Sequence, residues 1–561
     1  MAPAQGDSAV ASLPGTQNSE LRTQNRPPTP DSSIPRGGRS LALGAIILMA
    51  GYVASRLLGL VRTMVISNQF GASHDYEAYL AAIRLSDTLY QVLAGGAVAS
   101  AFIPVFATYR ARGDMEGAWR LASSLLTIAT VVMTPISILL MVFAPQVMSI
   151  EASGWDQPTQ DLAANLARIL LFSPVLFAVS TFVSSILNSF NRFLLASLAP
   201  IMYNIAIIAG AVLLGGRFGV YGLAIGAAVG ALLHLLVQIP GLVRERMHFR
   251  PALDFAHAGV RDVGRLMVPR TLGLGMVQVN YLVNVYLASQ LQEGSLAYLD
   301  YAWLLTMLPL GVFAMAISTA VFPTMAEHGA LDKRDELRRT LVSSLRLILY
   351  FTIPASVGLI VLGEPIVRLL LQHGDFTPQA TKATAYALGF FALGLTGQAT
   401  VEIVDRTYYA LHDTRTPVGV AALAFLVNVG FSVLLMRFLS FGGLALANAI
   451  AGLTEATLLV LLLGRRLEGV HLSALTFPVA VFAFWGVAQG LVAAAVADYL
   501  RAVLNTATLL GSLLQVGISV AAGGAVYIGL SYAMRSQELM RMLGIVNARL
   551  GRKGWRQLPT R

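Results

Sequence analysis

The chain predicts an all-α polytopic membrane protein of about 14 transmembrane helices, arranged as two parallel-repeat six-helix lobes plus two C-terminal helices. Composition is the first reason. Of 561 residues, 56% are hydrophobic and 12% charged, where a soluble domain carries about 25% charged. The surplus apolar surface has to face lipid. Run length is the second reason, because a membrane helix needs about 20 mostly apolar residues and the chain supplies such runs one after another. The third is an internal repeat: Ala78-Tyr79-Leu80 runs on to Pro104, and Ala297-Tyr298-Leu299 runs on to Pro323 at the same separation. Leu85/Leu304, Leu89/Leu308, Ala97/Ala316 and Ala101/Ala320 fall in register between them. Repeated helical units inside an apolar chain mark a two-lobed transporter whose cavity lies between the lobes.

Residues 1–39 are rich in Pro, Ser, Thr, Gln and Gly and have no apolar run. They cannot bury enough surface to offset ordering entropy, which predicts a disordered cytoplasmic tail. The first apolar segment begins near Leu41 and is too long for the core of a cleavable signal. Six spans follow in a first lobe, 40–242, at roughly 41–67, 76–108, 119–148, 161–188, 194–214 and 219–241. A basic cytoplasmic loop, 243–264, separates them from six more in 265–466, at roughly 266–291, 297–326, 340–363, 380–411, 417–438 and 442–464. Two further spans, roughly 474–497 and 508–534 within 467–535, have no counterpart in the repeat. The tail 536–561 is basic and reads as a positive-inside anchor.

The loops set the orientation. After even-numbered spans come Arg110, Arg112 and Arg120, then Arg192, Arg244 with Arg246, Lys333 with Arg334, Arg415, and Arg465 with Arg466. The odd-numbered loops offer only Arg217, Arg368, Lys382, Arg437 and Arg501. Basic residues favour the cytoplasm, so both termini are expected inside. The second and eighth spans then run the same way, and the repeat is parallel.

Charges inside spans are the candidate functional residues, because an arginine at mid-membrane costs at least about 2.5 kcal/mol on insertion scales. Arg56 and Arg62 lie in the first span, Arg84 in the second and Arg270 in the seventh. Arg56-Leu57-Leu58-Gly59-Leu60 is echoed by Arg270-Thr271-Leu272-Gly273-Leu274. Two readings stand: snorkelling or helix-to-helix pairing, and a shared polar cavity. Guanidinium groups suit bidentate recognition of phosphate, so the cavity reading predicts an anionic, phosphate-bearing substrate. Glu77 and Asp87 are candidate counter-charges or proton acceptors, and either is a partner for Arg84. Glu402 and Arg406 have the spacing of an intrahelical pair. Gly96 and its small neighbours allow close helix approach, and Pro104, Pro309 and Pro323 permit hinges.

Nothing indicates an enzyme: no catalytic residues emerge, and G-x-x-x-x-G-K-[ST] and H-E-x-x-H are both missing. The eight histidines have no metal-ligand spacing, and zero cysteines remove disulfides and thiolate sites. No cofactor and no nucleic-acid partner is expected.

Several motifs carry a resemblance. They are Ser55-Arg56-Leu57-Leu58-Gly59-Leu60-Val61-Arg62, then Phe70-Gly71-Ala72, and Gly96-Ala97 leading to Pro104. Further on come Asn191-Arg192-Phe193, Gln372-His373-Gly374-Asp375-Phe376-Thr377 and Tyr408-Tyr409-Ala410-Leu411-His412-Asp413. In that order, over about 40–535, the chain resembles the bacterial lipid II flippase family, MurJ or MviN, of the two-lobed multidrug and polysaccharide exporters. The resemblance implies alternating-access movement of the undecaprenyl-pyrophosphate-linked peptidoglycan precursor to the outer leaflet of the bacterial cytoplasmic membrane. It implies Arg56 and Arg62 as cavity arginines, Arg84 at a basic position, Glu77 at a usual aspartate, and a groove for the polyprenyl tail along the last two helices. Membrane lipids and cell-wall synthesis or division proteins are the partners it implies. The chain also departs from the family pattern. Family charges fall here on Tyr90, Gln91, Gly95, Trp303, Leu304 and Met307, with Arg270 a compensating candidate. A flippase for another polyprenyl-linked glycan and a non-transporting cell-wall scaffold are therefore the alternatives.

Overall fold

The structure, a computed structural model, describes residues 36–95, 97–467 and 473–549. The first lobe runs α1 Arg36–Phe70, α2 His74–Leu93, α3 Ala97–Ala111, α4 Met115–Val142, α5 Ala144–Glu151, α6 Gln157–Leu170, α7 Ser173–Ser189, α8 Phe193–Ala209, α9 Gly215–Phe218, α10 Tyr221–Leu236 and α11 Ile239–Arg244. The second runs α12 Ala258–Ser289, α13 Ser295–Pro309, α14 Ala316–Ala330, α15 Arg334–Val361, α16 Gly363–Leu371, α17 Pro378–Ala410, α18 Arg415–Leu439 and α19 Phe441–Arg466. α20 Ser473–Val503, α21 Leu509–Ala533 and α22 Gln537–Arg549 follow.

The repeat is structural as well as sequential. α3 and α14 are each 15 residues long, and α4 and α15 each 28, with both members of each pair displaced by the same 219 residues (97 to 316, 115 to 334). Short α5 and α16 follow at that displacement too. The lobes pack alike: α10 on α8 and α4 on α7 in the first, α19 on α18 and α15 on α17 in the second. α20 and α21 pair with each other; α20 leans on α15 and α21 on α16.

Among the described residues, helices or stacked helix pairs long and apolar enough to cross a membrane coincide with eleven of the fourteen expected spans, and four expectations change. The expected first, second and seventh spans fall outside that set. α1 and α12 cover the first and seventh as single helices of 35 and 32 residues. The second is divided: Ala94 leaves helical geometry (φ −131°, ψ −8°), and α2 carries Asp75, Glu77, Arg84 and Asp87 in its 20 residues. α12 starts at Ala258, inside the stretch expected to be loop. The predicted disorder of 1–39 falls outside the described residues except at 36–39, which begin α1. The expected C-terminal anchor starts as a helix, α22, whose first turn is packed: Leu539 is buried beside Leu349, Tyr350 and Tyr527.

The prolines act unevenly. Pro104 and Pro323 sit inside α3 and α14. Pro309 ends α13 and is followed at once by a π turn, Leu310–Met315. Proline donates no N–H and crowds the carbonyl four residues back, so the widened turn relieves the ladder where α13 passes into α14.

Candidate functional site

The two lobes meet where α2 faces α13. Ser73 caps α2, its hydroxyl accepting from the Tyr76 N–H. α13 begins after Gly294, at φ 84°, with no side-chain cap of its own. Its free amides are met from the other lobe: Glu77 Oε1 accepts from the Leu296 N–H at 2.8 Å. Glu77 is 1% exposed, and the amides of Gly294 and Ala297 also lie against it. A carboxylate there meets the positive end of the helix dipole. Glu77 thus stands at a helix start, not beside Arg84. It contacts its own repeat counterpart, since Leu296 lies 219 residues on, and the His74 N–H likewise donates to Glu293 at the same displacement. Equivalent residues touch only close to an axis relating the repeats.

Around that axis the end is sealed. Tyr76 stacks on Tyr301, centroids 5.3 Å apart, and the Tyr301 hydroxyl donates to the Gly71 carbonyl. The Asp375 N–H donates to the Asn68 carbonyl at 2.9 Å. Gly71 has φ +55°, and a β-carbon on it would stand 2.4 Å from the Asp375 carbonyl oxygen. The Phe70-Gly71-Ala72 and Gly374-Asp375 motifs therefore owe their glycines to a close backbone crossing. Beside them the Gly154 N–H donates to Ser289 Oγ, and Gln290 Nε2 donates to Ser153 Oγ.

Two turns along α2 from Glu77 stands Arg84, and one turn along α13 from Leu296 stands Asp300. The Arg84 guanidinium donates to Asp300 Oδ1 at 2.6 Å, with the side chains 28% and 23% exposed. Tyr281 of α12 lies under the guanidinium, 4.9 Å from ring centroid to carbon, a cation–π contact. The expected partner was Glu77 or Asp87. Asp300 takes the place because α13 brings it across the interface, whereas Asp87 on the same helix lies within electrostatic reach of Arg84, Arg62 and Asp300. Arg62 is half-buried, and its Nε is buried with no hydrogen-bond partner. Tyr79 and Tyr203 are near it. Arg56 stands exposed on α1, nearer the opposite end. Next to it Asn204 of α8 donates to Ser55, tying two of the sequence motifs together.

Arg270 belongs to α12, but its side chain lies outside the described ones, and Gly96 lies outside the described residues. Glu402 and Arg406 form the expected intrahelical pair at 3.7 Å. Sequence reasoning missed Asp300 and Tyr281. Asp300 did carry a signal, being a lone acid in the otherwise apolar stretch Leu296–Pro309.

A second feature lies where the second lobe meets the C-terminal helices. A cavity of about 440 Å³ opens between α13, α15, α20, α21 and α22, lined by Phe313, Phe351, Pro354, Ala493 and Val520 with Gln489 among few polar groups. Leu539 and Met542 of α22 close one side of it.

The family model described as lipid II flippase MurJ matches residues 66–519. A probable lipid II flippase MurJ of Haemophilus influenzae is 33% identical over 422 residues, which cover 72% of this chain and 82% of that one. The lipid II flippase MurJ of Burkholderia cenocepacia is 28% identical over 436 residues, covering 76% and 84%. Among solved structures, a lipid II flippase MurJ in an inward closed conformation superposes with a TM-score of 0.72 at 26% identity, covering 87% of this chain and 98% of that one. An inward-facing multidrug transporter of the wider superfamily superposes at 0.65 with 16% identity, a likeness of fold alone.

Proposed function

The chain belongs to the lipid II flippase MurJ family, a family of membrane transporters and not of enzymes, and we propose that it moves lipid II from the inner to the outer leaflet by alternating access. The observation that carries this is the family match over 66–519 together with an arginine cluster at the seam of two repeated lobes. Guanidinium groups held in a partly desolvated seam favour a diphosphate over a neutral headgroup.

The arrangement we propose has fourteen crossings, α1, α2 with α3, and α12 joining the eleven long apolar elements, with both termini cytoplasmic. The sealed end then faces outward, as an inward-facing stage of the cycle requires. Arg56, Arg62 and Arg84, with Arg270 from α12, form the pyrophosphate site. Asp87 balances part of that charge when the site is empty. The polyprenyl chain lies along α20 and α21, in the apolar cavity beside α13 and α15. The low polarity of its lining supports this, because an isoprenoid makes no hydrogen bonds and packs against apolar side chains by dispersion contacts.

The test is to deplete the resident lipid II flippase of a bacterial host and ask whether this chain restores growth, with Arg56→Ala alongside. Rescue by the wild type and not by the variant is the expected result. No rescue by a chain that is inserted and expressed normally overturns the reading.

A further inference from the structure

We propose that Asp300 is a built-in competitor for the substrate's diphosphate, so that filling the site and releasing the outer seal are one event. The proposal rests on the function given above. Its premise is the set of charges immediately around Arg84. Among the described side chains there, Arg62 and Arg84 face Asp87 and Asp300. Each carboxylate lowers the pull of these two guanidinium groups on an anion. A diphosphate entering this set gains full use of Arg84 only by taking the place of Asp300, the sole carboxylate of the four groups that belongs to the other lobe.

The geometry gives that exchange a consequence. Arg84 and Glu77 are seven residues apart on one face of α2; Asp300 and Leu296 are four apart on one face of α13. The two contacts, at 2.6 Å and 2.8 Å, are rungs of one ladder between the lobes. When phosphate oxygens occupy Arg84, Asp300 is left without its partner and faces a new anion. Both effects push the first turns of α13 away from α2, and those turns are what Glu77 and Tyr76 hold in the seal. Partial exposure of the pair, 28% and 23%, leaves the guanidinium within reach of an incoming ligand. The exchange is balanced, because a diphosphate offers Arg84 the same charge-assisted contact that Asp300 gives it. Tyr281 holds the guanidinium plane in place through the exchange.

The chain has no cysteine, so Ser153→Cys with Gln290→Cys reports the seal by cross-linking with a short bifunctional thiol reagent, which spans the reach lost when the glutamine is shortened; the native Gln290 amide meets the Ser153 hydroxyl. The experiment uses the full chain in nanodiscs with undecaprenyl diphosphate as probe, and lipid II transport is measured in parallel. In the otherwise wild-type background the probe is expected to lower cross-linking. Asp300→Asn is expected to lower cross-linking without any probe and to bind the probe about tenfold more tightly, because the competitor is gone. Asp300→Glu, which keeps the pair, is expected to behave as wild type.

If the wild type transports lipid II but saturating probe leaves cross-linking unchanged, the proposal is overturned and the function stands. That measurement needs no variant at Asp300 to fold. The proposal is equally overturned if Asp300→Asn binds the probe no more tightly than wild type. If the wild type neither binds the probe nor moves lipid II, the function reading falls and takes this proposal with it.

Discussion

Removing the carboxylate of Glu77 should loosen the sealed end by a measurable factor. Glu77→Ala leaves the first amides of α13 without the acceptor that now lies 2.8 Å from the Leu296 N–H. No residue of α13 replaces it, because Gly294 has no side chain. Loss of a helix cap costs about 0.5–2 kcal/mol, and a hydrogen bond to a charged acceptor contributes about 1.5–3 kcal/mol. Against this stands the burial of the carboxylate itself, which is 1% exposed and whose Oε2 has no hydrogen-bond partner. Opening the seal rehydrates it, so part of the gain is offset. A net change of about 1–2 kcal/mol, or roughly 5- to 30-fold in the closed-to-open ratio, is the expected size. Ser295→Cys supplies the reporter: Ser295 is fully buried at this seam, and the chain has no competing thiol. The labelling rate by a water-soluble maleimide in detergent should rise by that factor in Glu77→Ala, and by less in Glu77→Gln, which keeps an acceptor. A rate equal to that of the Glu77 protein would refute the reasoning that the cap holds the lobes together.

Three further outcomes follow from other contacts. Arg346→Ala strands Glu538, which is 7% exposed and 2.7 Å from that guanidinium; a lone buried charge costs about 3–5 kcal/mol, and Arg346, itself 25% exposed, puts the expected loss at the low end. A lowered midpoint of thermal unfolding in detergent checks this, and the paired change Arg346→Met with Glu538→Leu should recover most of the loss. Gly71→Ala forces a β-carbon to within 2.4 Å of the Asp375 carbonyl oxygen at φ +55°, where an L-residue pays about 1–2 kcal/mol before any clash; growth rescue should fall and Ser295→Cys labelling should rise. Glu151, beyond the α4 span and 7% exposed, is pushed by burial from 4.5 up to about 8. Its folded form keeps a proton that the unfolded chain releases, so its contribution to stability falls as pH rises from about 4.5 to about 8. Glu151→Gln should flatten that part of the pH profile of thermal unfolding and stabilise the protein at pH 8.

Local and periodic features were legible without coordinates. The register of the repeat survives intact in α3 against α14 and α4 against α15, because it depends only on helix-length runs of apolar residues. The Glu402–Arg406 pair was legible for the same reason, since four residues make one helical turn. The break in the second span was not. Apolar residues continue on both sides of it, and its only mark in the sequence is the pair Gly95-Gly96, two residues that cost the most entropy in a helix; the backbone leaves helical geometry just before them, at Ala94. α22 was hidden because a basic tail and a packed amphipathic turn can share one composition.

The sequence by itself determined that this chain crosses a membrane many times, that it is built on one repeated unit, and that arginines of the early helices are its candidate ligands. Those properties follow from side-chain chemistry taken a few residues at a time. Only the tertiary structure decided whom the charges meet. Arg84 has carboxylates three residues ahead and seven behind in sequence, yet its partner is Asp300, 216 residues away; Glu77 reaches a backbone amide 219 residues away instead of a nearby cation. The physical reason is the axis between the lobes. It brings the start of α2 against the start of α13, and Coulomb attraction in a poorly hydrated seam is set by distance in space, so a carboxylate brought into contact across the interface outweighs neighbours along the chain.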